Sequence, residues 1–401
     1  MGSQIRKGPA YTQRALYLRV APDKYGKHMV KVVNTLGIDD FDSEEGEFAA
    51  HKHWDSVIPL LDAYVYEVNN SNDEEGQFMK SSNETYGKRP SRDLTYQENL
   101  CAMDETVSQC NTSGLDCNGS EGKVLILATV HDTYPKPQRT KTYWLSFDDL
   151  ETATNFRNEV YLDNPTDMPV SMEFLDRDAF EIIDQAGRFL GHFVKYFGCN
   201  SPVVAAAWDF KQQIEGLDIK GASTFPDIFQ YHINNMLPAV LPQEIMDMGK
   251  KREYHVAMTV GDFDGSLDRF EKRFAKYRQR YGEKMDVHEC TTWAEQEGIR
   301  AFRFVATAAF QTYCAGTGLQ GLGVEYFLPI IDTSNPQLPS GNDPVKRMLY
   351  GHLGCNLFHE DLAYKLGIDT QKAKREFQHV VKTVSKGKLP PERCRITTSN
   401  K

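Results

Sequence analysis

The chain predicts an α+β fold: two split β-α-β (ferredoxin-like) halves forming a largely antiparallel sheet covered by helices, with a helical excursion between them. Three observations carry that expectation. From residue 122 onward, short β-branched and aromatic runs alternate with segments of helical period. The same grammar then appears a second time after residue 254. Between the repeats, 205–250 carries large apolar residues such as Trp208, Phe210, Phe225, Phe229, Leu237 and Met246 without that alternation. At 401 residues, with 40% hydrophobic and 25% charged, the chain is long enough to bury a sizeable core. A net charge of -10 argues against a general affinity for nucleic acid. No apolar run approaches the roughly 18 residues of a membrane-spanning helix.

Along the chain, Ala15–Val20 and Met29–Val33 flank the turn-rich Pro22–Lys27 and predict a hairpin that needs a further strand. From about 68 to 121 the composition falls to Asn, Ser, Asp, Glu and Gly, which predicts a long insertion unable to order itself. Lys123–Val130, Thr140–Leu145 and Pro169–Leu175 read as strands, and Asp148–Tyr161 and 178–196 as helices. In the latter, Phe180, Ile183, Phe189, Phe193 and Phe197 share a side, which reads as core. The second half predicts strands at Tyr254–Val260, Gly323–Ile331 and Val345–Phe358, with helices at 264–281, 293–310 and 370–386. Gly316–Gly323 precedes a strand rather than following one, so it reads as a flexible connection and not a phosphate loop.

Several ordered motifs point further. Gly2-Ser3 and Gly8-Pro9-Ala10-Tyr11-Thr12 open the chain, followed by Asn34-Thr35-Leu36-Gly37-Ile38-Asp39 and Gly122–Tyr134. Then come Met168–Asp178, containing Glu173 and Arg177-Asp178, and Tyr350-Gly351-His352 through Phe358-His359-Glu360-Asp361. In this order they resemble the quinone-dependent respiratory D-lactate dehydrogenases, peripheral-membrane flavoenzymes of the FAD-linked oxidase (vanillyl-alcohol-oxidase-like) superfamily. The matches run over residues 2–392. The resemblance implies oxidation of D-lactate, or a similar 2-hydroxy acid, to pyruvate, with hydride passing to FAD and electrons to quinone. It implies a location at the cytoplasmic side of the inner membrane. It divides the chain into 1–37, a remnant of an FAD-binding domain; 38–121, a connection with an insertion; 122–392, a substrate (cap) domain whose 205–253 faces the membrane; and 393–401, a divergent tail. The family's glycine-rich pyrophosphate loops precede the Gly2 joint, and Arg393 stands where the family has a histidine. The expectation is a chain truncated at both ends that binds no FAD alone, either the substrate portion of the enzyme or a non-catalytic cap subunit.

The chemistry sets the candidate residues. Oxidising a 2-hydroxy acid requires a cation for the carboxylate, a base for the hydroxyl proton and a flavin for the hydride. His352 and His359 are the candidate base or polarising groups; each equally fits a satisfied strand histidine. Arg177 and Glu173 are candidate substrate-binding groups, although an Arg between two Asp residues also fits an ion-pair cluster. Gly2 and Ile126 would contact the cofactor by resemblance. Related oxidases hold a divalent metal with Gly-His-x-Gly-Asp-Gly-Asn-x-His. Here Cys355-Asn356-Leu357 replaces Asp-Gly-Asn, so no metal residue is assigned, and a metal-dependent protein using His352 and His359 without flavin stays as the alternative. Seven is an odd spacing, so on one regular strand the two histidines would face opposite sides unless a bulge near Gly354 re-aims the chain. The family's membrane-facing segment is basic. In 205–253, Lys211, Lys220, Lys250, Lys251 and Arg252 are offset by Glu215, Asp218, Asp227, Glu244, Asp247 and Glu253, which leaves aromatic and aliphatic content as its distinguishing feature.

Overall fold

The computed structural model describes residues 14–22, 25, 28–34, 124–130, 137–162, 167, 169–199, 201–328, 332–339, 341, 343–387 and 389. Expectations for Gly2, the 68–121 insertion and the 393–401 tail lie outside the described residues.

The chain divides into two compact units, with Lys7–Lys136 in the first and Pro137–Leu389 in the second. In the first, β1 (Arg14–Pro22) pairs antiparallel with both β2 (His28–Asn34) and β3 (Val124–Val130). The hairpin thus finds its third strand in the segment that the sequence reading assigned to a domain starting at 122. Here that boundary lies at 136/137, because β3 completes this small sheet.

The second unit holds seven strands in the order β7-β4-β6-β5-β9-β10-β8, every adjacent pair antiparallel. They are β4 (Thr140–Phe147), β5 (Ser171–Asp176), β6 (Tyr254–Gly261), β7 (Met285–Cys290), β8 (Leu319–Phe327), β9 (Lys346–His352) and β10 (Leu357–Lys365). In the first four strands, β6 lies between β4 and β5, and β4 lies between β6 and β7. Two split β-α-β units therefore interleave, as expected, into one ferredoxin-like sheet. The remaining three strands extend it.

Helix α1 (Leu150–Arg157) starts where Asp149 accepts from the Thr152 backbone N–H, and α2 (Arg177–Ala186) where Asp176 caps Ala179. The expected helix over 178–196 is two: α2 stops at Gly187 and α3 runs Arg188–Phe197. A side chain at Gly187 would press on the Ile183 carbonyl, Val305 and Ala309, so the backbone approaches its neighbours closely there. The break changes the fate of the Phe side. Phe180 and Ile183 are buried, whereas Phe189 and Phe197 lie 41% and 52% exposed. The reading of that whole side as core is corrected.

Three further helices form the expected excursion: α4 (Pro202–Glu215), α5 (Phe225–Asn234) and α6 (Gln243–Lys251). Next come α7 (Ser266–Tyr281), α8 (Trp293–Phe304), α9 (Ala306–Thr317) and α10 (Thr370–Thr383). Gly316–Gly323 is not a flexible connection: Gly318 turns left-handed at φ 68 to end α9, and β8 begins at Leu319. The edge strand β7 escapes sequence reading because Asp286, His288 and Glu289 dilute its pattern.

Strand alternation gives the sheet two faces. On one, Trp144, Leu175, Ala257, Met348, Tyr350 and Ala363 pack with α2, α6, α8 and α9 in a continuous core. On the other, Phe147, Phe156, Tyr161, Phe270 and Phe274 stack between the strands, α1 and α7, while Phe377 of α10 meets Tyr326. Helices therefore cover both faces.

Candidate active site

The segment predicted as one strand over Val345–Phe358 is a tight hairpin. After β9, Leu353–Cys355 makes a 3-10 turn, Asn356 adopts φ 53, and β10 returns antiparallel. Asn356 is buried and held on both sides: its Oδ1 accepts from the fully buried Arg157, and its Nδ2 donates to the Asp332 carbonyl at 3.1 Å. The hairpin resolves the parity problem without a bulge. His359 lies opposite Tyr350, two residues from His352 on the same face of β9. The imidazoles meet edge-on, centroids 5.6 Å apart. Gly351 makes the close crossing of these strands possible, since a Cβ there would collide with the Leu357 carbonyl.

Register brings the remaining groups alongside. Glu173 of β5 pairs with His352 of β9, and Glu325 of β8 pairs with His359 of β10. The Glu173 carboxylate lies 2.8 Å from His352 Nδ1 and 3.0 Å from Nε of Arg303, which reaches down from the end of α8. Arg303 also lies over the Tyr350 ring at 4.9 Å, and Tyr350 stacks on His359 at 5.1 Å. The Tyr350 hydroxyl donates to Asp361 at 2.9 Å and shares a 2.8 Å hydrogen bond with Thr307.

The electrostatics follow from burial set against these contacts. Burial works to raise the Glu173 carboxyl, but the charge of Arg303 and then the bond to His352 hold it below the ordinary carboxylate range. Burial, with Arg303 and His352 adding positive charge, pushes His359 down to about 3, so it is neutral near pH 7. Burial lifts Asp361 to about 6 against the pull of the Tyr350 hydrogen bond. The result is an ion pair and a neutral imidazole side by side. Next to them is a cavity of about 400 Å³ lined by Thr142, Ser171, Glu173, Arg300, Arg303 and His352, among others.

Of the sequence candidates, Glu173, His352 and His359 come together. Arg177 does not join them: it pairs with Glu253 at 2.8 Å and donates to the Arg252 carbonyl. It stands four positions beyond Glu173, roughly 13 Å of extended chain. Ile126 sits in β3 of the first unit, 44% exposed beside Leu125 at 61%. Gly2 lies outside the described residues. Sequence reading missed Arg303 and Arg300. Their signal was two arginines three apart within the otherwise apolar Ile299–Val305, where a polar group must find a partner.

Residues 142–394 match the family described as D-lactate dehydrogenase, membrane binding. A quinone-dependent D-lactate dehydrogenase of Corynebacterium glutamicum is 26% identical over 98% of this chain. One from Escherichia coli is 24% identical over 94% of it. The chain spans 65% and 62% of the lengths of these curated relatives. Among solved structures, p-cresol methylhydroxylase with substrate bound aligns over 96% of this chain and 60% of its own, at 11% identity. Its TM-score is 0.38, too loose a superposition to place a ligand. With the family match covering well over half of its length, this chain belongs to the D-lactate dehydrogenase, membrane-binding family.

Proposed function

We propose that the chain supplies the substrate-facing and membrane-facing part of a quinone-dependent D-lactate dehydrogenase. The reaction oxidises D-lactate, or a similar 2-hydroxy acid, to pyruvate, and electrons pass on to quinone. FAD, when bound, accepts the hydride, chemistry that no side chain can supply. Among the described residues Ile126 offers an exposed apolar contact, and none of them forms a glycine-rich loop opening a helix to cradle a pyrophosphate.

The observation carrying this reading is the 2.8 Å Glu173–His352 contact across β5 and β9, beside a cavity that two arginines line. In it His352 takes the hydroxyl proton, and Glu173, facing its Nδ1, orients the imidazole. Neutral His359 polarises the same oxygen. Arg303 already shares Glu173, so carboxylate recognition falls chiefly to Arg300. Its partner Glu297 lies three residues away at the surface, a contact weak enough for a substrate to replace. In this reading Arg177 is structural.

Membrane association rests on a different surface. Phe197, Phe210, Phe225, Phe229, Ile219 and Met236 are all more than half exposed on or beside α3, α4 and α5, and α4 buries no side chain. No helix among the described residues is long and apolar enough to cross a membrane. A peripheral attachment through aromatic side chains fits this surface, on the cytoplasmic side of the inner membrane in the preferred reading.

The test is to co-express the full chain with a glycine-rich FAD-binding domain from one of the relatives and measure dye reduction by D- and L-lactate. Turnover favouring D-lactate is expected, reduced 10²–10⁴-fold in His352→Gln, the usual span for losing a general base. No complex, a complex inert to D-lactate, or a His352→Gln complex of full activity overturns the reading.

A further inference from the structure

A second cavity of about 530 Å³ lies against helix α4 and shares Phe304 with the candidate site. Leu190 and Val194 of α3, Val204 and Trp208 of α4, and Phe304 and Ala308 give it apolar walls. Its polar groups are Ser201, Asp209, Thr307 and Gln311, with the thiol of Cys199. Ser201 Oγ accepts from the Val203 N–H and keeps its own hydrogen to donate. Gln311 brings both a donor and an acceptor. That composition, mostly apolar with a few convergent polar groups, is that of a site for a small organic ligand, and the volume is in range.

We infer that this cavity binds a prenylated quinone, its ring against Thr307 and Gln311 and its tail leaving between α3 and α4. The inference rests on the dehydrogenase reading above and gives one of its partners a location. Three observations favour this occupant. The helices that wall the cavity also present apolar side chains outward, Phe197, Val203 and Phe210 being 52%, 48% and 64% exposed. A ligand that arrives dissolved in lipid meets those side chains first. The wall is also shared, since Phe304 lines both this cavity and the candidate site. Thr307, lining the quinone side, is hydrogen-bonded to Tyr350, whose ring stacks on His359. One layer of side chains thus separates the two cavities. Finally, a ring bearing two carbonyl oxygens uses the Gln311 amide and Ser201 hydroxyl donors, which a plain acyl chain would leave unmatched, while the Thr307 hydroxyl donates to Tyr350.

Decylubiquinone is the probe, titrated into the full chain while tryptophan fluorescence is read. Trp208 lines the cavity, and a quinone ring in contact quenches an indole. Saturable quenching is expected, with most of its amplitude lost in Trp208→Phe. Ala308→Phe fills the cavity and should weaken the dissociation constant at least 10-fold with an unchanged circular-dichroism spectrum. Should that variant misfold, Ala205→Phe on exposed α4 narrows the same space. Decanol, which has the tail without the ring, should not compete at equal concentration. Equal competition by decanol, the absence of saturable quenching, or unchanged affinity in a folded filling variant overturns the inference. D-lactate turnover with dye alongside no quinone binding removes this site and leaves the dehydrogenase reading standing. Quinone binding to a complex inert to D-lactate does the reverse.

Discussion

Lowering the pH from 7 to 5 probes His359 directly. Its imidazole is pushed to about 3 by burial first, then by Arg303 and His352. In the unfolded chain it titrates near the ordinary value of about 6.5. Between those values the unfolded chain carries a proton that the folded one refuses, so stability falls as the pH falls. From pH 7 to 5 the loss comes to about 2 kcal/mol, an upper figure because the ring keeps some solvent contact. Other groups act in the same interval. His255, buried and pushed to about 3 by burial and then Arg177, works in the same direction. Asp361, lifted to about 6 by burial, works oppositely, since the fold then binds the proton more readily than the unfolded chain does. His359→Gln isolates the term. Urea unfolding followed through the fully buried Trp144 at pH 7, 6 and 5 should show the parent losing about 2 kcal/mol more than the variant. Parallel pH curves would refute a neutral, desolvated His359.

Two further perturbations address the scaffold of the site. Gly351→Ala forces a Cβ against the Leu357 carbonyl and Phe358 Cα, backbone that cannot step aside, so a destabilisation of about 3 kcal/mol is expected in urea midpoints. A loss under about 0.5 kcal/mol would mean that the hairpin crosses less closely than described. Glu173→Gln and Arg303→Gln each break a contact whose side chains are only 13% and 15% exposed. Each should cost about 2–3 kcal/mol, and the double variant less than their sum by about 1–2 kcal/mol. Strict additivity in that cycle would show that the two groups do not interact.

The local vocabulary of this protein was legible in its residues. Thr140–Leu145 and Tyr254–Val260 read as strands from their pattern, Asp149 and Asp176 cap helices where acidic residues stand before apolar periods, and the split β-α-β grammar appeared twice. His352, His359 and Glu173 were likewise found from the residue types the chemistry requires. What sequence reading lacked was direction. Whether Val345–Phe358 runs straight or turns back depends on Asn356, which a buried Arg157 holds from almost 200 positions earlier. Only that turn places two histidines of odd spacing on one face. Arg303 joins Glu173 because α8 packs across the sheet, and Arg177 stays apart because it opens α2 and pairs with Glu253. The aromatic side of 178–196 divides into buried and exposed halves at Gly187, where close packing and not periodicity decides. Side-chain pattern acts over a few residues and specifies elements. Which charges meet, and which apolar faces remain open, is set by contacts between segments far apart in the chain, and those exist only once the sheet has assembled.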